Sequence, residues 1–318
     1  MLQPTYADVR AAAERISGYV RHVTLTPACH RSIPGVGVGT QTWLALEHFQ
    51  HTGSFKARGA VNFTLAHRDQ GLLPRSGITI ASGGNAGVAC AWAARRIDTA
   101  ATVFLPETAP PVKVARLRRL GAQVMSAGTS YAEAAADCER YAAATGALRS
   151  HAYDDAYIAA GAGTIVDEML ARAGGLDTIM VSVGGGGLFT GVAIAAAHHG
   201  IRVVAVEPEH CRAFNAALTQ GHPVDVPVDS IAADALGARR VTPMALTAAA
   251  AADVQSVLVS DEEISAARQY LWDDRRLAVE HAAAAAYAAL HFGAYRSRPG
   301  ERVAVVLCGA NTDPSDLT

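Results

Sequence analysis

The sequence predicts an α/β fold: two open, twisted parallel-sheet lobes with a cleft between them. Short apolar runs alternate with helical stretches along most of the chain. Several runs, such as those at 178–183 and 302–307, are unbroken, as strands covered on both faces are. Glycine-rich turns stand where strand gives way to helix.

The chain starts with an amphipathic helix over its first sixteen or so positions, with Thr5 near its cap and Asp8 in its first turn. A first set of units follows between 77 and 154. Its strands are expected at 78–82, 101–105 and 122–125, and its helices at 87–96, at 112–120 before Gly121, and at 130–141 with an end near Gly146. The second set runs from 155 to the end, with strands at 178–183, 201–207 and 302–307 and a helix at 191–199. Polar stretches near 70–77 and 153–157 are where the chain crosses between lobes. A cleft between two such lobes commonly holds a small molecule.

Composition narrows the function classes. The 318 residues are 50% apolar and 18% charged, and the net charge of −2 gives no electrostatic case for nucleic acid or an anionic membrane. The arginines at 116, 118 and 119 read as a solvated helix face. The start of the chain lacks a basic stretch followed by an apolar block, and the alanine-rich run at 282–290 is too short to cross a bilayer. A cytoplasmic protein is the expectation. The five cysteines (Cys29, Cys90, Cys138, Cys211 and Cys308) form no CxxC pair, which suggests neither a zinc ribbon nor a disulfide framework.

Three loops carry candidate chemistry. In TGSFKARG (52–59), Lys56 is a candidate nucleophile, because burial moves a lysine toward its neutral form; Gly53 permits unusual backbone angles and Phe55 can bury the turn. Taken alone, the pattern also fits a surface lysine. In SGGNAG (82–87), Ser82, Gly83, Gly84, Asn85 and Ala86 lead into a helix and expose amides suited to a carboxylate or phosphate, or make an ordinary turn. In VGGGGL (183–188), Gly184, Gly185, Gly186, Gly187 and Leu188 leave bare backbone for a phosphate, and no Gly-Lys-Ser/Thr follows to make a nucleotide P-loop. A lysine, an anion loop and a phosphate loop together describe one ligand, pyridoxal 5′-phosphate.

These three motifs and the ending LCGANTD (307–313) resemble the fold-type II pyridoxal-phosphate enzymes, tryptophan synthase β-like in architecture, and within them the serine/threonine dehydratase (threonine ammonia-lyase) family. The resemblance covers nearly the whole chain, including HAYDD (151–155) and IAAGAGT (158–164). It implies that Lys56 carries the cofactor covalently, with Phe55 beside it. Asn85 would meet the cofactor's 3-oxygen, and Gly184–Gly187 and Leu188 its phosphate. Cys308 would face the pyridine nitrogen. Ser82, Gly83, Gly84, Asn85 and Ala86 would surround the substrate carboxylate. Ser54, His151 and Glu280 are further candidates, and His51 stands at the entrance or against the substrate. Residues 1–76 and 155–318 would form the large cofactor-binding domain and 77–154 a small mobile one. A homodimer is expected, as the commonest soluble assembly.

The implied activity is β-elimination: a β-hydroxy amino acid such as L-threonine or L-serine becomes a 2-oxo acid and ammonia. A thiol at 308 makes a shallower electron sink than a carboxylate would, which favours prompt elimination. Departures from the family pattern sharpen this. Racemases of the group carry a serine where this chain has Gly83. Their divalent-metal site pairs Glu207 with an aspartate that is Ala213 here, so a metal at Glu207 is left open. Glu280 is followed by His281 instead of proline, and the stretch ending at Thr164 has lost a glutamine. Other fold-type II activities remain as alternatives: dehydration of 3-hydroxyaspartate or an aryl-serine, serine racemisation and β-replacement. For an acidic substrate, Arg58, His151, Arg239 and Arg240 are candidate sources of positive charge. A non-catalytic ligand-binding protein would not need Lys56.

Overall fold

The computed structural model describes residues 3–28, 33 and 35–317; Cys29 lies outside them. Among the described residues, ten strands form two sheets. They are β1 (Leu25–Pro27), β2 (Gln41–Ala45), β3 (Ile78–Ala81), β4 (Ala101–Leu105), β5 (Gln123–Ser126), β6 (Leu148–Arg149), β7 (Thr178–Ser182), β8 (Arg202–Pro208), β9 (Val254–Val259) and β10 (Arg302–Val306). The larger sheet has the order β1-β2-β10-β7-β8-β9 and the smaller β5-β4-β3-β6. Every pairing is parallel except β1 with β2 at the edge of the larger sheet. All strands of the smaller sheet lie between 78 and 149.

The local chemistry accounts for the elements. The first helix, Tyr6–Ile16, opens on a reciprocal cap: Thr5 Oγ1 accepts from the Asp8 amide, and the Asp8 carboxylate accepts from Thr5 N at 2.7 Å. Its stripe of Val9, Ala12 and Ile16 is buried. Strands β4 and β7 are buried along their whole length, matching their unbroken apolar sequence. The alanine-rich run is the helix His281–His291, which lies on β7, β8, β9 and β10 with every residue from 282 to 290 buried. A helix that is apolar all round belongs inside, and methyl side chains let it sit close to the sheet.

Two helices start earlier than expected: Asn85–Arg96 and Gly187–His198. Asparagine and glycine have low helix propensity, so the sequence reads them as turn, yet their amides open the first turn of each helix. Edge strands β1, β6 and β9 carry no apolar run long enough to stand out.

Arg58 fixes the segment around the candidate lysine to the larger sheet. Its side chain is 0% exposed. Its guanidinium grips Glu47 through two bonds of 2.9 and 2.8 Å and Glu168 through two of 2.7 and 2.9 Å, and it also donates to Thr164 Oγ1 and the Arg21 carbonyl. Burial opposes the charge, but Glu47 and Glu168 outweigh it and hold the guanidinium protonated. Replacing Arg58 by Met leaves two buried or half-buried carboxylates without their cation. The expected loss is about 3–5 kcal/mol of folding stability, read from the urea midpoint at unchanged m-value.

Candidate active site

The segment before Lys56 is laid out by the end of β10. Thr52 and Gly53 both have positive φ, 68° and 75°, and Ser54 is extended. Phe55 N donates to the Cys308 carbonyl at 3.0 Å and Ala310 N to the Gly53 carbonyl at 2.9 Å, and Ser54 bridges Gly309 in antiparallel fashion. A Cβ on Gly53 would stand 2.7 Å from Asn311 Oδ1, so the asparagine fills the space that glycine leaves. A β-branched residue with φ near +68° costs on the order of 1–3 kcal/mol, and such strain persists where neighbours over-determine the backbone. The Thr52 carbonyl accepts from Asn311 Nδ2 at 2.9 Å and from Arg116 Nη2 at 2.8 Å.

Lys56 therefore opens the helix Lys56–Asp69 and does not sit within a loop. Its Nζ donates to the Ala152 carbonyl at 3.1 Å and lies 5.0 Å from the centre of the Phe55 ring. Burial lowers the amine's pKa, against the opposing pull of Cys308 and Glu280. A small pocket adjoins the lysine, lined in part by Phe55, Ala86, Ser150, His151 and Ala152.

Two rows of backbone amides face this lysine's surroundings. Among the described residues no acceptor meets the amides of 82–87, which lead from β3 into the helix Asn85–Arg96. The same holds for the amides of 184–188, which lead from β7 into the helix Gly187–His198. Gly186 has φ 104°, which turns the chain into that helix. A Cβ on Gly185 would stand 2.3 Å from the Tyr153 ring, and one on Gly187 2.9 Å from the Tyr153 backbone. Tyr153 thus lies directly on the glycine loop, and its neighbour Ala152 holds the Lys56 amine.

The polar side chains form a chain. Asn85 Nδ2 donates to both Glu280 oxygens at 3.0 Å, and Asn85 Oδ1 accepts from Asn311 Nδ2 at 2.5 Å. Glu280 caps the helix His281–His291, with His281 in the first position where proline is common. Burial raises the Glu280 pKa, and the Asn85 bond pulls it back. Burial, then the Glu280 charge, push the Cys308 thiol far up, so it stays a neutral thiol.

The remaining expectations divide. Ser54 is fully buried and its hydroxyl has no partner among the described residues. His151 lines the Lys56 cavity; its Nδ1 accepts from the Asp154 amide at 2.8 Å and the Tyr153 amide at 3.3 Å, which leaves the proton on Nε2. His51 stacks on Trp92 at a centroid distance of 5.0 Å. Arg58 is consumed by Glu47 and Glu168, and Arg239 and Arg240 are exposed, the latter paired with Asp225. Glu207 caps the helix Ala213–Gln220: its two oxygens accept from the Phe214 and Asn215 amides at 2.8 and 2.7 Å. No cluster of three metal-ligating side chains stands around it among the described residues. Sequence reasoning missed Tyr153 and Ala152, although HAYDD was noted, and it missed the bonds of Asn311 and Arg116.

The donor set suits a phosphorylated pyridine aldehyde. A row of unpaired amides at a helix start matches a phosphate dianion, a lysine with lowered pKa matches an aldehyde carbon, and a neutral thiol tolerates a pyridine nitrogen. Comparison with known proteins agrees. Residues 21–309 match the family model described as pyridoxal-phosphate dependent enzyme. The chain is 34% identical to an L-threonine ammonia-lyase of Geobacter sulfurreducens over 98% of its own length and 77% of the relative's. It is also 34% identical to a phenylserine dehydratase of Ralstonia pickettii, over 97% and 94% of the two chains. The solved structure of a pyridoxal 5′-phosphate-dependent aspartate racemase superposes with a TM-score of 0.90 at 28% identity, covering 100% of this chain and 98% of that one. The match over residues 21–309 settles the lineage: the chain belongs to the pyridoxal-phosphate dependent enzyme family.

Proposed function

We propose that this chain is a dehydratase (ammonia-lyase) that converts a β-hydroxy amino acid such as L-threonine or L-serine to a 2-oxo acid and ammonia. The observation that carries the reading is Lys56: a half-buried amine with lowered pKa, bonded to the Ala152 carbonyl next to the Tyr153 that lies on the glycine loop, in a pocket that Ala86 also lines. Relatives at 34% identity named for threonine and phenylserine support the substrate class.

When bound, pyridoxal phosphate supplies an electron sink for the substrate's Cα. The chain's own residues do the rest. Lys56 anchors the cofactor and, once free, its neutral amine accepts the Cα proton. The amides of 184–188 would hold the phosphate, and those of Ser82–Ala86 the substrate carboxylate. Phe55 lies beside the lysine, Asn85 would share its Nδ2 hydrogens between Glu280 and the ring oxygen, and Cys308 would give the ring nitrogen only a weak partner. Gly83 has no side chain with which to move a proton on the opposite face, and Leu105 Cδ2 stands 2.8 Å from where its Cβ would be. That favours elimination over racemisation. Ser54, Glu280 and His151 shape the pocket around these groups.

The reading also takes 77–154 as a small domain moving against 1–76 with 155–318, supported by the confinement of the second sheet to 78–149. It takes the protein as a cytoplasmic homodimer. Buried, free Cys90, Cys138, Cys211 and Cys308 suit a reducing compartment, and two-fold dimers are the commonest soluble assembly. No helix of the described residues is long and apolar enough to cross a membrane.

A panel of L-serine, L-threonine, D-serine, 3-hydroxyaspartate, and O-acetylserine with sulfide tests the activity. Equal release of ammonia and 2-oxo acid from the first two is expected, and Lys56→Ala should lower kcat by about 10²–10⁴-fold and abolish the visible cofactor band. A variant that keeps both activity and band would sink the assignment. The pH profile of kcat gives a second check. The base works as the neutral amine, so kcat rises as that amine deprotonates. Because burial lowers its pKa, the rise should be complete below the ordinary lysine value of 10.5. A limb still rising above it contradicts the role. Gly185→Ala pushes a methyl against Tyr153 and should weaken cofactor binding about tenfold or more, close to 1.4 kcal/mol, in an absorbance titration.

A further inference from the structure

Arg116 was expected on a solvated face, and its neighbours Arg118 and Arg119 are exposed, but Arg116 is half-buried. It projects from the helix Pro111–Arg119, which follows β4 of the smaller sheet, and reaches the Thr52 carbonyl beside Lys56 at 2.8 Å. No carboxylate among the described residues pairs with it, whereas Lys113 on the same helix pairs with Asp234 at 2.8 Å. The Glu280 charge acts on this guanidinium from a distance, but its hydrogen bond goes to a neutral carbonyl, and that carbonyl is itself unusual.

Thr52 is a β-branched residue in the left-handed region, and its own hydroxyl is buried without a partner among the described residues. Its side chain therefore does nothing to hold the strained backbone. Two donors on the carbonyl do: Arg116 from the smaller sheet's side and Asn311 from the end of β10. The Asn311 nitrogen has two hydrogens. One goes to Thr52 O and the other to Asn85 Oδ1. Asn85 is thereby turned so that its nitrogen faces the Glu280 carboxylate.

We propose that Arg116 is a positioning residue: through the Thr52 carbonyl and Asn311 it fixes the Lys56 segment and the orientation of the Asn85 carboxamide. Its side chain leaves the Thr52 carbonyl when its helix moves away from the larger sheet, so docking of that helix completes the cofactor pocket. The inference rests on the pocket assignment made above and extends it to a residue outside the lining of the Lys56 pocket.

The test uses the cofactor-loaded full chain with Arg116→Ala, Arg116→Lys, Asn311→Ala and the double Ala variant. Arg116→Ala should lower kcat about 10–100-fold with KM changed less than about threefold, and should shift the cofactor's visible absorption. Arg116→Lys keeps a cationic donor and should recover kcat to within about fivefold of wild type. The double variant should be about as impaired as the worse single one, because both act on one carbonyl. In the cofactor-free protein, the amides of Gly53 and Phe55 should exchange hydrogen about tenfold faster in Arg116→Ala. Multiplicative single effects overturn the proposal, as do wild-type exchange at Gly53 and Phe55 or a loss confined to thermal stability. A wild type that takes up cofactor yet releases no ammonia counts against the dehydratase reading alone, since absorption and exchange still report on Arg116.

Discussion

The antiparallel zip between residues 52–55 and 308–311 is the contact on which the site depends. It joins the end of β10, a central strand of the larger sheet, to the start of the helix that carries Lys56. Ligands in open α/β sheets sit beyond the carboxyl ends of the strands, and here three such ends contribute. β10 leads to Cys308 and Asn311, β7 to the glycine loop, and β3 to the Asn85 loop. The first two belong to one sheet and the third to the other, so the cleft is where two sheets present their carboxyl ends to each other. Lys56 is not at a strand end at all. It reaches the cleft because the zip fastens its segment to β10, with Arg58 and Arg116 holding the same stretch.

Charge is distributed to suit this. The strongest buried ion pairs in the region, Arg58 with Glu47 and Glu168, are satisfied internally and lie behind the Lys56 helix, where they fasten structure. In the groups facing the cleft, burial works against charge: it lowers the Lys56 pKa and raises those of Glu280 and Cys308. The site thus keeps its positive character in backbone amides, which are fixed dipoles and need no proton. A dianionic phosphate and a substrate carboxylate then meet donors whose strength does not change with pH in the neutral range.

Much of this was legible in the sequence, and the parts that were not share a physical reason. Strands β7 and β10 announce themselves as unbroken apolar runs, and the 183–188 loop by four successive glycines that an ordinary turn does not require. The helix starts at Asn85 and Gly187 were hidden because propensity assigns those residues to turns, while tertiary contacts set the first helical turn. β9 was hidden because its side chains are half-exposed at a sheet edge. Asn311 was quoted as part of a motif, but its partner lies 259 residues away, and no local pattern encodes that contact. Arg116 stands in a run of arginines, and periodicity cannot say which of them turns inward. Glu207 and Arg58 show the converse. Each residue type suited a functional role, and each is spent on a helix cap or a buried ion pair.

The helix His281–His291 has a consequence of a mechanical kind. Glu280 is held at its N-terminus, and most of the side chains between that helix and the sheet are methyl groups. A methyl has no rotamers, so this interface has few alternative packings and little compliance. The distance from the sheet to the Glu280 carboxylate is a fixed length, transmitted like the thickness of a shim. A larger side chain anywhere along the helix would lift its axis and tilt the carboxylate away from Asn85. The alanines that look like the least specific part of the sequence therefore act as its dimensional standard.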